Sequence, residues 1–213
     1  TGEGGILVTN DNRLAERIRL IRNHAEAVVE DNGPSSLVNM IGHNFRLGEI
    51  ESAIGIEQIK KLEKLVISRQ KAAERLTEGI KNLKGLRTPY IRDNSTHVYY
   101  VYPIVIDVDI LGVSRDKIFK ALVAEGIPGL ANGYANLHLL PMYQNKIAYG
   151  SQGFPWTLSD RVIDYKKGIC PVAEELQDRT YIGMEMCLFE YNDYEIDMII
   201  LAFKKVWNSL EIL

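Results

Sequence analysis

Two stretches of the chain hold side chains that could do chemistry. Gly42-His43-Asn44-Phe45-Arg46-Leu47-Gly48-Glu49-Ile50 sets an amide and a guanidinium just ahead of a long helical pattern. Free backbone N–H groups and the helix dipole favour an anion at such a place. An Asn donor beside an Arg then suits a phosphate or a carboxylate. The plainer reading is that Asn44 caps the helix and Arg46 pairs with Glu49 or Glu51, and on these residues alone it is preferred. His138 lies in Tyr134-Ala135-Asn136-Leu137-His138-Leu139-Leu140-Pro141-Met142-Tyr143, an aromatic, turn-rich stretch. It could bind a polar ligand or shuttle a proton, or simply pack among aromatics with one backbone partner.

Other candidates are weaker. The histidines at 24, 43, 97 and 138 show no metal spacing. Cys170-Pro171 flanks a loop, but a reactive thiol needs basic neighbours, so a structural role is preferred. Gly2-Glu3-Gly4-Gly5 is not a phosphate-binding loop, because it precedes a strand-like run instead of following one.

Composition narrows the classes further. The chain has 213 residues, 46% hydrophobic and 25% charged, with Lys plus Arg at 25 against 28 for Asp plus Glu. That balance gives no electrostatic reason to expect nucleic acid or an anionic membrane as partner. No apolar run reaches the roughly 20 residues of a membrane helix. Two cysteines are too few for a disulfide framework, which points to a reducing, cytoplasmic setting. The first residue is Thr1 with no signal pattern after it, so the expectation is a truncation or a processing site.

The elements that must position these residues follow from periodicity. Ile6-Leu7-Val8-Thr9 suits a strand buried on both faces, whose sheet is expected upstream of Thr1. Asn10-Asp11-Asn12 should cap a helix over Arg13–Asn23. An irregular stretch with the turn Asn32-Gly33-Pro34-Ser35 leads to a helical pattern from Leu47 to about Lys84. That pattern must break once or run from one domain into the next, with Gly85 as its stop. Val98–Val105 and Tyr181–Phe189 read as strands. Ser114 should cap a helix carrying Ile118, Leu122 and Val123, closed by Gly126. Asp193 should cap a last helix with Ile196, Ile199, Ile200, Phe203 and Val206 inward. The class is α/β, with a small domain appended to a larger one.

Taken in order, these stretches resemble the DegT/DnrJ/EryC1/StrS family of pyridoxal-phosphate-dependent aminotransferases, which act mainly on nucleotide-linked keto-sugars. Thr1 to Thr9 resembles the segment just after the family's cofactor lysine, and Gly42 to Gln58 its Asn-aromatic-Arg signature. Tyr134 to Tyr143 is similar to its Tyr-x-Pro-Leu-His segment, and Cys170-Pro171-Val172-Ala173-Glu174 to its Cys-Pro-x-Ala-Glu turn. His43 and Asn136 depart from the pattern, standing where an aromatic and a Pro are expected.

The resemblance implies a fold type I enzyme. Residues 1–66 would be the end of its large domain and the start of a long helix; residues 67–213 would be the connecting helix and a small C-terminal α/β domain. It implies pyridoxal phosphate as cofactor and a homodimer with shared active sites, in which Asn44 reaches the partner subunit's cofactor phosphate. Arg46 and His138 would lie near the sugar. The Schiff-base lysine would precede Thr1, so this chain alone should be inactive. The implied reaction moves an amino group from a glutamate-type donor to a nucleotide-linked keto-sugar, for cell-surface polysaccharide or related glycan synthesis. A sugar dehydratase of the same family and a non-catalytic dimerisation module are the alternatives.

Overall fold

The computed structural model describes residues 1–26 and 40–213. The turn expected at Asn32-Gly33-Pro34-Ser35 lies outside the described residues. The chain forms two compact units, Thr1–Glu63 and Lys64–Leu213.

In the first unit, helix α1 (Asn12–Arg22) opens where its capping sequence requires. The Asp11 carboxylate accepts from the backbone N–H of Arg13 at 2.8 Å and of Leu14 at 3.1 Å. That satisfies two donors the first turn leaves free. Arg19 and Arg22 lie in its last turn, where cations complement the helix dipole. The chain then turns through His24 and Ala25, both left-handed at φ 58° and 64°. Residues 43–45 return antiparallel to 21–24: His43 N–H donates to Ile21 O, and Phe45 N–H to Arg22 O. Gly42 is required at this crossing, since a Cβ would lie 2.2 Å from the Ala25 nitrogen and 2.4 Å from the His24 carbonyl carbon.

The strand expected at Ile6–Thr9 does not form among the described residues. Those residues pair with no neighbouring strand, and Val8 is 90% exposed. A strand needs partners for its backbone groups.

The long helical pattern is realised without a break as α2 (Glu49–Ile80), 32 residues, about 48 Å at 1.5 Å per residue. The division between the units falls inside it. Ile50, Ile54, Ile56, Ile59 and Leu62 are exposed in the first unit. In the second unit Ala72, Ala73, Leu76 and Ile80 are buried.

The second unit is built on a four-stranded antiparallel sheet. Its strands are β1 (Leu86–Arg87), β2 (Tyr102–Ile106), β3 (Leu130–Ala131) and β4 (Tyr181–Met184), in the order β1-β2-β4-β3. Alternation along β2 buries Tyr102, Ile104 and Ile106 and leaves Pro103 and Val105 half-buried. Helices α3 (Val108–Leu111) and α4 (Arg115–Ala124) follow β2. The chain then makes β3, the short α5 (Pro141–Asn145) and α6 (Pro171–Glu175). A single π-turn, Leu176–Thr180, feeds β4, and α7 (Asp193–Trp207) closes the unit. Ile118 and Leu122 of α4 are buried with Leu76, Ile80, Ile104, Ile182 and Phe203 in one core.

Arg115 ties this unit together. It is 7% exposed, and its guanidinium donates to the carbonyls of Asn132 (2.5 Å), Gln177 (3.2 Å), Tyr181 (3.1 Å) and Asp178 (3.4 Å). A π-turn leaves carbonyls that the regular ladder would fill, and this planar fork fills them.

Several expected boundaries move. The strand expected at Val98–Val105 begins only at Tyr102. Tyr99 takes a left-handed φ of 50°, which no strand residue can hold, and its ring lies against those of His97 and Tyr102. The strand expected at Tyr181–Phe189 ends at Met184, one residue short of a last in-register bond from the Glu185 N–H to the Gly129 carbonyl. Asn192, not Asp193, caps α7, through a reciprocal capping box with Glu195. Val123 is 47% exposed. Ile196, Ile199, Ile200, Phe203 and Val206 are buried as their spacing requires.

Among the described residues no helix is long and apolar enough to cross a membrane, and no group of His, Cys, Asp and Glu is placed to hold a metal.

Candidate functional site

The first unit contains an open cleft of about 1320 Å³, bounded by residues 3–10, the face of α1 and residues 44–47. Asn44 and Arg46 line it together with Arg19 and Arg22. Local pairing explains their placement: Asn44 makes an antiparallel bridge with Asn23, and the Arg46 guanidinium donates to the Asn23 side-chain oxygen. This differs from the plainer sequence reading. Asn44 caps no helix, because α2 opens only at Glu49, and Arg46 takes Asn23 as partner instead of Glu49 or Glu51. Those glutamates fill the first turn of α2, so its positive end is already met by carboxylates. Three guanidinium groups, against the one carboxylate of Glu3, give the cleft its anion-attracting character.

The Asn44 carboxamide is exposed and bonds to no side chain or backbone group among the described residues. It remains available as a donor. His43 stacks on Phe45 with ring centroids 4.8 Å apart and planes at 20°. An imidazole thereby supplies the flat surface expected of an aromatic there.

His138 lies in the second unit, on the 3₁₀ turn Leu137–Leu139. It does not merely pack among aromatics. Its side chain is 9% exposed, and Nε2 lies 2.9 Å from Glu174 Oε1. Glu174, on α6, accepts as well from the backbone N–H of Gly168 at 2.7 and 2.8 Å and of Cys170 at 3.3 Å. Burial alone would push this carboxyl up; the N–H groups of Gly168 and Cys170 and the His138 ring hold it below the usual carboxylate range instead. The histidine backbone is fixed too. Gln144 donates to the carbonyls of His138 (2.7 Å) and Tyr165 (2.6 Å), and Trp156 Nε1 donates to the Tyr165 hydroxyl at 3.0 Å.

Asn136, standing where a Pro was expected, donates to Asp178 Oδ1 at 3.2 Å, and Asp178 also pairs with Lys167. Residues 134–138 are therefore held against 166–178 by side chains from both. Sequence reasoning found His138 and passed over Glu174, although that residue closes the Cys170–Glu174 stretch it singled out. A Glu in the first turn of a helix has an ordinary explanation in the dipole. Its partners come from two other segments, which periodicity does not connect.

Residues 1–175 match the DegT/DnrJ/EryC1/StrS aminotransferase family. The chain belongs to that family. Its members are pyridoxal-phosphate-dependent aminotransferases, and its fold is that of the fold type I enzymes. The spore coat polysaccharide biosynthesis protein SpsC of Bacillus subtilis is 30% identical over 161 residues, which is 73% of this chain and 41% of that protein. The UDP-4-amino-4,6-dideoxy-N-acetyl-beta-L-altrosamine transaminase of Helicobacter pylori is 33% identical over 150 residues, 69% of this chain and 37% of that one. Among solved structures, Helicobacter pylori PseC, an aminotransferase involved in the biosynthesis of pseudoaminic acid, superposes with a TM-score of 0.63 at 25% identity. That match covers 95% of this chain and 48% of the other. The chain thus spans less than half the length of these relatives.

Proposed function

We propose that this chain is part of a pyridoxal-phosphate-dependent aminotransferase that converts a nucleotide-linked keto-sugar to an amino sugar. The amino donor is of the glutamate type, the enzyme is a cytoplasmic homodimer, and the product feeds cell-surface polysaccharide or a related glycan. Family membership supports this reaction class. The observation that carries the reading to residues is the cleft in the first unit, where the unpartnered Asn44 amide stands among Arg19, Arg22 and Arg46. Those groups suit a phosphate: an amide donor fixes one oxygen, and the guanidinium charges offset the dianion.

When bound, the cofactor supplies the electron sink for moving an amino group. In this reading Asn44 donates its side-chain N–H to the cofactor phosphate of the partner subunit. Arg46, its fork oriented by Asn23, faces the anionic nucleotide-linked substrate. His138, held by Glu174, contacts a sugar hydroxyl. The residues 1–66 continue the large domain, and the residues 67–213 form the connecting helix and small domain. The Schiff-base lysine is supplied by a longer polypeptide, and this chain alone does not transaminate.

The test uses the full-length protein. Asn44→Ala is expected to weaken cofactor binding about tenfold or more, the loss of one hydrogen bond to a charged group; unchanged cofactor affinity would refute the phosphate role. His138→Ala is expected to raise the sugar KM while the donor half-reaction stays intact. A histidine at the lysine position of the full-length protein would overturn the aminotransferase assignment in favour of a sugar dehydratase. Absence of any absorbance from bound cofactor would favour a non-catalytic dimerisation module.

A further inference from the structure

We propose that Glu174 is a positioning residue: it fixes His138 as the Nε2–H tautomer and so presents Nδ1 as a hydrogen-bond acceptor for a sugar hydroxyl. The inference rests on the reading that His138 contacts the sugar. The geometry begins with what Glu174 can be. Its Oε1 accepts from Gly168 N–H at 2.7 Å, Cys170 N–H at 3.3 Å and the imidazole at 2.9 Å, and its Oε2 accepts from Gly168 N–H at 2.8 Å. A carboxylate ringed by backbone donors is ionised and can only accept. The proton in the Glu174–His138 contact therefore belongs to the histidine Nε2.

In the neutral ring this leaves Nδ1 with an unshared pair. Nδ1 has no partner among the described residues, and it is not sealed from solvent: the only buried side-chain polar atom left without a partner there is the Tyr191 hydroxyl. The ring cannot easily swing to hide that pair, because Glu174 holds Nε2 at 2.9 Å and the side chain is 9% exposed. A fixed acceptor that is not fully buried suits a ligand that brings a donor. A sugar hydroxyl does so; a phosphate or carboxylate oxygen does not. The phosphates of the nucleotide-linked substrate are thus excluded from this contact, and a hydroxyl of the sugar is assigned to it.

The test is Glu174→Leu in the full-length protein, with Glu174→Gln beside it. Leucine keeps the bulk and removes every acceptor, so nothing holds the proton on Nε2. Glutamine can keep its oxygen at the Oε1 position, where it still accepts from Gly168, Cys170 and His138. ¹⁵N-histidine spectra of the wild type, with His138→Ala to identify the signal, are expected to show a protonated Nε2. The spectra of Glu174→Gln should keep that preference and those of Glu174→Leu should lose it; an unchanged tautomer in Glu174→Leu, or a lost preference in Glu174→Gln, overturns the proposal. In steady-state kinetics Glu174→Leu should raise the sugar KM about tenfold, the loss of one hydrogen bond, with the donor half-reaction intact.

In a His138→Ala background the same substitution should leave the sugar KM unchanged, because the carboxylate acts through the ring. A further tenfold rise there would mean that Glu174 supports the loop generally, and would overturn the positioning role. If His138→Ala itself leaves the sugar KM unchanged, the substrate reading of His138 fails, while the spectra still decide whether Glu174 sets the tautomer.

Discussion

Gly79 is the position where the packing of the second unit can be tested most sharply. It lies near the end of α2, and a Cβ built there would fall 2.4 Å from Ile200 Cδ1, 2.6 Å from Cγ1 and 2.8 Å from Cγ2. Rotation about χ2 moves only Cδ1. The branched pair cannot yield without leaving the one χ1 rotamer that Ile prefers in a helix, and Ile200 is 8% exposed within the core. Gly79→Ala should gain up to about 1 kcal/mol of helix propensity. Against this stands an overpacking cost of about 1–3 kcal/mol. The net expectation is a loss of about 1 kcal/mol, a fall in Tm of roughly 2–4 °C for a protein of this size.

In an Ile200→Ala background, which removes all three obstructing atoms, the sign should reverse. Gly79→Ala should then stabilise, by propensity and by partly filling the cavity, although Ile200→Ala itself costs about 2–5 kcal/mol. Urea denaturation of the four proteins, followed by circular dichroism, measures both steps. Stabilisation by Gly79→Ala in the wild-type background would refute the contact, and equal effects in the two backgrounds would refute the coupling.

Further outcomes follow from features already described. Asn192→Ala removes half of the capping box of α7 and should lower stability by about 1 kcal/mol, read as a shift of the urea midpoint. Trp207→Phe leaves the Lys84 carbonyl without the indole donor now 2.8 Å away; a further loss of about 1 kcal/mol is expected beyond the change in packing. The Glu174 carboxyl is held below its ordinary value, so its contribution is complete above the unfolded value of about 4.3 and is lost as pH falls through the folded one. Glu174→Gln should therefore flatten the decline of stability as pH falls below the unfolded value of about 4.3. An unchanged acid limb would show that the carboxylate has no preference for the folded state. The exposed Arg75–Asp197 pair, which lowers Asp197 through its hydrogen bonds to Arg75, should act in the same direction, weakened by salt.

The longer helices could be read from spacing and caps, since α2, α4 and α7 each bury a stripe, whereas α3, α5 and α6 are four or five residues long and show no period. The inward residues of α7 and the capped start of α1 are where periodicity and side-chain chemistry put them. The sheet was harder. Strands β1 and β3 are two residues long, too short to show a period, and Tyr99 interrupts an otherwise continuous aromatic run by its backbone conformation. Asn44, Arg46 and His138 stood out by residue type and context. The partners that orient them, Asn23 and Glu174, did not, since those contacts close over distances along the chain that no local pattern spans.

The segment 171–180 presents Glu174 to His138 on one side and hands its carbonyls to Arg115 on the other. Damage to one face is therefore transmitted to the other. A genetic screen for loss of the proposed activity should return alleles of Arg115 as readily as alleles of Glu174, though among the described residues Arg115 donates only to Asp116 and to main-chain carbonyls. Arg115→Lys is included in that expectation, because a single ammonium cannot span carbonyls that a planar fork reaches. Such alleles would look like binding-site mutants in a cell and like folding mutants in a test tube, and the two phenotypes would have one cause.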